Sequence, residues 1–263
     1  MIIFSAIVPH SPLLVPSIGK DQREKLAGTI AALQEIEQAL YLAKPDTICI
    51  IAPHGSRYPD AYSINMSPKY TGDFKSFGDF STTVQAKGDF LLIDHLQRKM
   101  REENVPFTLT SNEVLDYGFG VPILLLTSHL EHWKLIPVTP SMLDGKSHYA
   151  FGTQLKRVLH AESSRVAIIA SADLSHKLSK DAPGGYASEG EAFDKLIVEA
   201  ASTHNSQALL DIDMNLVEKA GQCGYRPIMT MLGCLDGMNV SAKKLCYEAP
   251  FGVGYLTVRY DIA

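Results

Sequence analysis

The sequence predicts an α/β fold, a single domain with a central parallel or mixed sheet flanked by helices. Three observations point there. The chain has 263 residues, 46% of them hydrophobic, which is enough for one large core. Short β-branched or apolar runs recur along it, and longer stretches of helical periodicity separate them. Strands that alternate with helices imply parallel pairing with both faces of the sheet covered.

In chain order, Ile2–Val8 reads as the first buried strand. The opening segment MIIFSAIVPHSPLLVP is apolar but lacks a basic n-region, and Pro9, His10 and Pro12 break it, so a strand is expected and not a signal peptide. Residues 21–42 follow as a helix, because Leu26, Ile30, Leu33, Ile36 and Leu40 fall on one stripe with Glu and Gln opposite. Residues 47–52 form the second strand. Residues 57–84 carry Pro59, Pro68, Gly72 and Gly78 among aromatic and polar side chains, and are expected to be a long functional loop with an edge strand. Helices are then expected over 89–103, 149–161, 189–203 and 227–235, and strands over 134–138, 166–170 and 254–260. A second loop, 177–188, is marked by Pro183, Gly184 and Gly185. No repeat, low-complexity tract or interdomain linker is visible, so residues 1–263 are read as one domain.

Composition excludes several classes. The net charge is -5 and no basic stripe stands out, which argues against nucleic acid as a partner. No apolar run reaches the roughly 18 residues of a membrane helix. The four cysteines, Cys49, Cys223, Cys234 and Cys246, are scattered without a CxxC pair, which suggests reduced thiols and a cytoplasmic location.

The placement of histidine carries the functional signal. Of nine histidines, three come shortly after a strand. Ile2–Val8 runs into Pro9-His10, the second strand into Pro53-His54, and 166–170 into Ser171-Ala172-Asp173-Leu174-Ser175-His176. Ligands bind beyond the carboxyl ends of strands in open α/β sheets. Parallel pairing would bring all three turns to one edge. Neutral imidazole suits iron, copper or zinc, and a preceding proline stiffens the turn that aims it. One such histidine alone is more often an ordinary loop residue; two matched Pro-His turns with a third behind them favour a metal site. The other six, His95, His129, His132, His148, His160 and His204, lie in helical or polar contexts and are read as surface residues. Asp173 either orients an imidazole from behind or caps its own turn. Cys223, in Gly221-Gln222-Cys223-Gly224 before an apolar helix, is either an activated thiol or a small buried hydrophobe. Glu248, before the last strand, either faces the cleft or is solvated.

Six segments together resemble the class III extradiol ring-cleavage dioxygenase superfamily, and within it the Memo-like branch. They are AIVPHSPLLVPSIG, IIAPHGSRY, LDYGFGVPI, IASADLSHKL, GQCGYRPIMTMLGCLDG and YEAPFGVGY, in order along the whole chain. The resemblance implies Fe(II) held by two histidines and a carboxylate. His10 and His54 match the ligand histidines and His176 the acid/base histidine. Gln222 stands at the carboxylate position, where the family usually reads Glu-Cys-Gly, and Tyr117 stands where it often has histidine, a second catalytic position. A neutral amide is a poor anionic ligand, so Gln222 and Cys223 are both candidates for the third ligand. A thiolate would shift the metal from Fe(II) toward Zn or Cu.

The resemblance implies a dioxygenase cleaving a catechol-like aromatic ring with molecular oxygen, as a monomer or homo-oligomer. The alternatives are a Memo-like metal or redox protein that has lost that activity, and a non-catalytic assembly subunit.

Overall fold

The computed structural model describes all residues, 1–263. Its elements run β1 (Ile2–Val8), α1 (Pro16–Gly19), α2 (Ala27–Ala43), β2 (Thr47–Ile51), β3 (Tyr62–Asn65), β4 (Lys69–Phe74), β5 (Asp79–Gly88), α3 (Phe90–Glu102), β6 (Phe107–Thr110), α4 (Tyr117–Leu126), β7 (Lys134–Thr139), α5 (Gly145–Ala161), β8 (Val166–Ser171), α6 (Ser188–Ser202), α7 (Ser206–Leu210), α8 (Met214–Lys219), α9 (Tyr225–Cys234), β9 (Val240–Glu248) and β10 (Tyr255–Ile262). They build one mixed ten-stranded sheet in the order β4-β5-β7-β2-β8-β1-β10-β9, with β3 pairing β7 and β6. The expected α/β fold is therefore the observed one.

Parallel pairing is concentrated at the centre. β8 lies between β1 and β2, parallel to both, with Val8 opposite Ser171 and Ile51 opposite Ala170. Side chains along a strand alternate between faces, and both faces here are buried. Ile48 and Ile50 of β2 join Ala167 and Ile169 of β8 under α2 and α4, whereas Cys49, Ile51, Ile168 and Ala170 pack on the other face with α5 and α9. Two-sided burial explains why these strands read as continuous apolar runs.

Several elements differ from expectation. The helix expected over 21–42 winds as 3-10 helix over Lys20–Leu26 before α2 begins. Residues 57–84 are not a loop with one edge strand but supply β3, β4 and most of β5. Their prolines and glycines sit between short strands, where turn chemistry needs them. The helix α4 was concealed by Gly118, Gly120 and Pro122, which lower helix propensity, yet nearly all of it is buried and packing overrides propensity. β6 and β9 were also unforeseen. His148 is not a surface residue: it is fully buried in α5, its Nδ1 2.7 Å from the Asp144 carbonyl, and burial pulls it down to about 4. Glu248 neither lines the cleft nor floats in solvent. Its carboxylate accepts the Thr29 amide at 2.7 Å and so caps the first turn of α2 across the chain.

The helix that follows Cys223 is seated by a glycine contact. Gly152 of α5 and Gly233 of α9 face one another, and a Cβ at Gly233 would overlap the Tyr149 carbonyl. Gly233→Ala should cost on the order of 1–3 kcal/mol through overpacking, read as a lower urea midpoint at unchanged slope.

Candidate functional site

Three chain segments converge at the carboxyl ends of β1, β2 and β8. His10 follows β1 and is 1% exposed. His54 follows β2; its ring centroid lies 5.1 Å from that of His10, edge on. Cys223 lies two residues before α9, with Sγ 3.5 Å from His10 Nε2 and 3.9 Å from His176 Nε2. The donor atoms of His10, His54 and Cys223 all lie within 4.8 Å of one another.

Each segment is fixed by the backbone around it. The His10 amide donates to Asp173 Oδ1 at 2.8 Å, and His10 Nδ1 lies 3.0 Å from Ser171 Oγ. Gly118, at the start of α4, presses on His54, so that a Cβ there would stand 3.0 Å from His54 Cδ2. The turn 173–176 is tied to the segment before α9 by Ser175 Oγ donating to the Ala220 carbonyl and by the His176 amide donating to the Gly221 carbonyl. That stitching brings His176 beside Cys223. Arg226 completes the frame by donating from Nε to the Leu143 carbonyl at 3.0 Å, while the Met142 amide donates to the Tyr58 carbonyl on the His54 loop.

Of the residues singled out from sequence, His10, His54, His176, Cys223, Asp173 and Tyr117 come together. Tyr117 OH lies 3.0 Å from His54 Nε2, and Phe77 packs edge-on against the Tyr117 ring. Gln222 is adjacent in sequence but differently engaged. Its Oε1 accepts the Tyr225 amide at 2.7 Å, at the start of α9. The expected metal-ligand role of Gln222 would use the oxygen that also accepts the Tyr225 amide, with one lone pair left over. Sequence reasoning overlooked Ser171, Gly118 and Arg226; Ser171 stands first in the SADLSH segment that marked His176.

Electrostatically the pocket favours neutral side chains. Burial pulls His10 down to about 3, with His176 adding to the effect. Burial, then His10, also lowers His54, and burial lowers His176. Burial raises the Cys223 thiol, helped by Asp173, and lifts Asp173 to about 6. With His10 neutral, its 3.8 Å approach to Asp173 Oδ2 is a polar contact and not an ion pair. Two neutral imidazoles, a thiol and a nearby carboxyl, gathered out of water, fit a soft or borderline divalent or monovalent cation. No helix is long and apolar enough to cross a membrane.

Comparison with known proteins bears on the family and the fold. The family described as the catalytic LigB subunit of aromatic ring-opening dioxygenase matches residues 5–258. Protein CA_C1420 of Clostridium acetobutylicum is 29% identical over 97% of this chain, which spans only 56% of that relative's length. A MEMO1 family protein of Methanococcoides burtonii is 23% identical over 88% of this chain and 73% of its own. One of Methanococcus vannielii is 23% identical over 93% and 84%. The crystal structure of the uncharacterized protein JW3007 from Escherichia coli K12 superposes with a TM-score of 0.66 at 15% identity, covering 98% of this chain and 99% of that one, and so shares the fold.

Behind the turn 173–176, Asp194 of α6 accepts from the Ser175 amide and from Tyr247 OH, each at 2.8 Å. Burial raises this carboxyl to about 7. An unfolded aspartate titrates near 3.9, so between roughly pH 4 and 7 the folded chain holds the extra proton. Stability is then fullest at the acid end of that window and falls as pH rises through it. Asp194→Asn should flatten this part of the profile, measured as thermal midpoint against pH.

Proposed function

The chain belongs to the family of the catalytic LigB subunit of aromatic ring-opening dioxygenases, and on that footing we propose that it is a Memo-like, metal-dependent redox protein whose metal is held by His10, His54 and Cys223. One observation carries this reading: Cys223 Sγ approaches His10 Nε2 to 3.5 Å, while Gln222 is turned onto Tyr225. The anionic ligand that the family usually draws from a carboxylate would come here from a thiolate one residue on. Iron or copper bound there supplies one-electron redox chemistry and Lewis acidity.

The protein's own groups divide the remaining work. His10 and His54 offer neutral imidazoles, kept so by burial. The Cys223 thiol must lose its proton to bind, and His176 Nε2, 3.9 Å from Sγ, is placed to receive it. Tyr117 and Phe77 form an aromatic wall beside His54, suited to a small phenolic or catechol-like substrate. Four free cysteines support a reducing compartment such as the cytoplasm.

A second reading, ring-opening dioxygenase, is favoured by His176. It stands at the rim of the cluster with a lowered pKa, available as an acid/base for a catechol-like substrate and oxygen. Oxygen uptake with catechols and added Fe(II) separates the two: uptake that disappears in His176→Gln supports the dioxygenase, and its absence in a metal-replete protein leaves the redox reading.

Metal titration tests the site itself. Cys223→Ala should weaken metal binding by tenfold or more, as should His10→Ala with His54→Ala, since even indirect partners of a metal matter by about 10–100-fold. Gln222→Glu should change affinity by less than about twofold. A strong gain from Gln222→Glu with no loss from Cys223→Ala would return the ligand role to position 222.

A further inference from the structure

We propose that Ser171 is a positioning residue that sets the tautomer of His10, so that His10 presents Nε2 and not Nδ1 to a metal. The inference concerns this side chain in the folded protein; its consequence for affinity rests on the metal reading above.

The chain of reasoning begins in α4. A helical carbonyl is normally satisfied by the amide four residues later. For Gly118 that residue is Pro122, which lies inside the helix and has no N–H. The Gly118 carbonyl is buried and needs another donor. Ser171 Oγ, itself fully buried at the end of β8, donates to it at 2.6 Å. A hydroxyl has one proton. With that proton directed at Gly118, Ser171 Oγ can meet His10 Nδ1, 3.0 Å away, only as an acceptor. Nδ1 must therefore carry the hydrogen, and in a neutral imidazole Nε2 is left with the lone pair. Nε2 is the nitrogen that faces the cluster, 3.5 Å from Cys223 Sγ.

The competing tautomer has less to gain. It would require the Ser171 proton to turn to Nδ1 and abandon the Gly118 carbonyl. The Nε2 proton would then gain only Cys223 Sγ, a weak acceptor at 3.5 Å, since Asp173 Oδ2 at 3.8 Å is too far for a hydrogen bond. The His10 amide bond to Asp173 Oδ1 holds the backbone while Ser171 holds the ring. Position 122 in one helix thus acts on a nitrogen in another segment through a single hydroxyl.

The test reads the tautomer directly. Long-range proton–nitrogen NMR of metal-free protein labelled at histidine reports which nitrogen is protonated, with His10 assigned by the signal lost in His10→Gln. The expected result is the Nδ1–H form in the wild type; a dominant Nε2–H form overturns the proposal without any variant being made. In Ser171→Ala, the tautomers should mix and metal affinity should fall roughly 10–100-fold. An unchanged His10 tautomer in that variant also overturns it. The two levels separate cleanly. An Nε2–H wild type that still loses metal on Cys223→Ala sinks only the role of Ser171. An Nδ1–H wild type that binds no iron or copper sinks only the metal reading.

Discussion

The site depends on one constraint, the in-register parallel seating of β8 between β1 and β2. Val8 stands opposite Ser171 and Ile51 opposite Ala170, so the three strands end at one level. Their exits, Pro9-His10, Pro53-His54 and the turn beginning at Ala172, therefore open on the same crevice. A slip of one residue would reverse every side chain on the shifted strand. It would exchange side chains between two apolar layers and break the packing of both, because Ile168 and Ile169 serve opposite faces. Close packing in the two layers thus fixes the register, and the register fixes the distances at the site.

Upon this frame the surrounding hydrogen bonds act as struts. Ser175 spends its hydroxyl on Ala220 and its amide on Asp194, which leaves the turn little freedom. Asp173, in the same turn, holds the His10 amide. The result is a buried cluster in which the charged forms are disfavoured on all sides: His10 is pulled down, and Asp173 and Cys223 are pushed up. Such a pocket is comfortable when neutral and becomes a strong anionic trap only when a cation replaces the thiol proton. Affinity for a metal should then be tied to proton release.

Legibility in the sequence followed burial. The central strands were readable to within a residue or two because two-sided burial forces unbroken apolar runs, and His10 and His54 were readable because each ends such a run. β3 and β4 were not, since they are short and alternate with the Pro and Gly of their own turns. α4 was hidden because Gly118, Gly120 and Pro122 serve close approach and carbonyl exchange instead of helix propensity. His148 was missed since a histidine on an amphipathic helix gives no sign of which face it occupies. Most telling is Gln222-Cys223. Adjacent residues point in different directions, and which one faces the cleft is set by the bridge pairing Ser175 with Gln222 and by the Tyr225 amide, neither of which is visible in one dimension.

The two departures from the family pattern bear on each other. At position 222 an amide stands at the position matched to a carboxylate and accepts the Tyr225 amide, and under the proposed reading the neighbouring thiol supplies the negative charge. At position 117 a phenol stands where the family often has histidine, and burial raises its pKa further. A phenol in that state shares a hydrogen bond with His54 Nε2 and is a poor proton shuttle near neutral pH. Under the proposed reading, proton traffic at the cleft falls to His176, which is half-buried like His54 but stands outside the compact His-His-Cys group. His176 lies against the very sulfur whose proton must leave. Under the proposed reading, the exchange of a carboxylate for a thiolate and of a histidine for a tyrosine converge on a site where binding of the metal and movement of a single proton are one event.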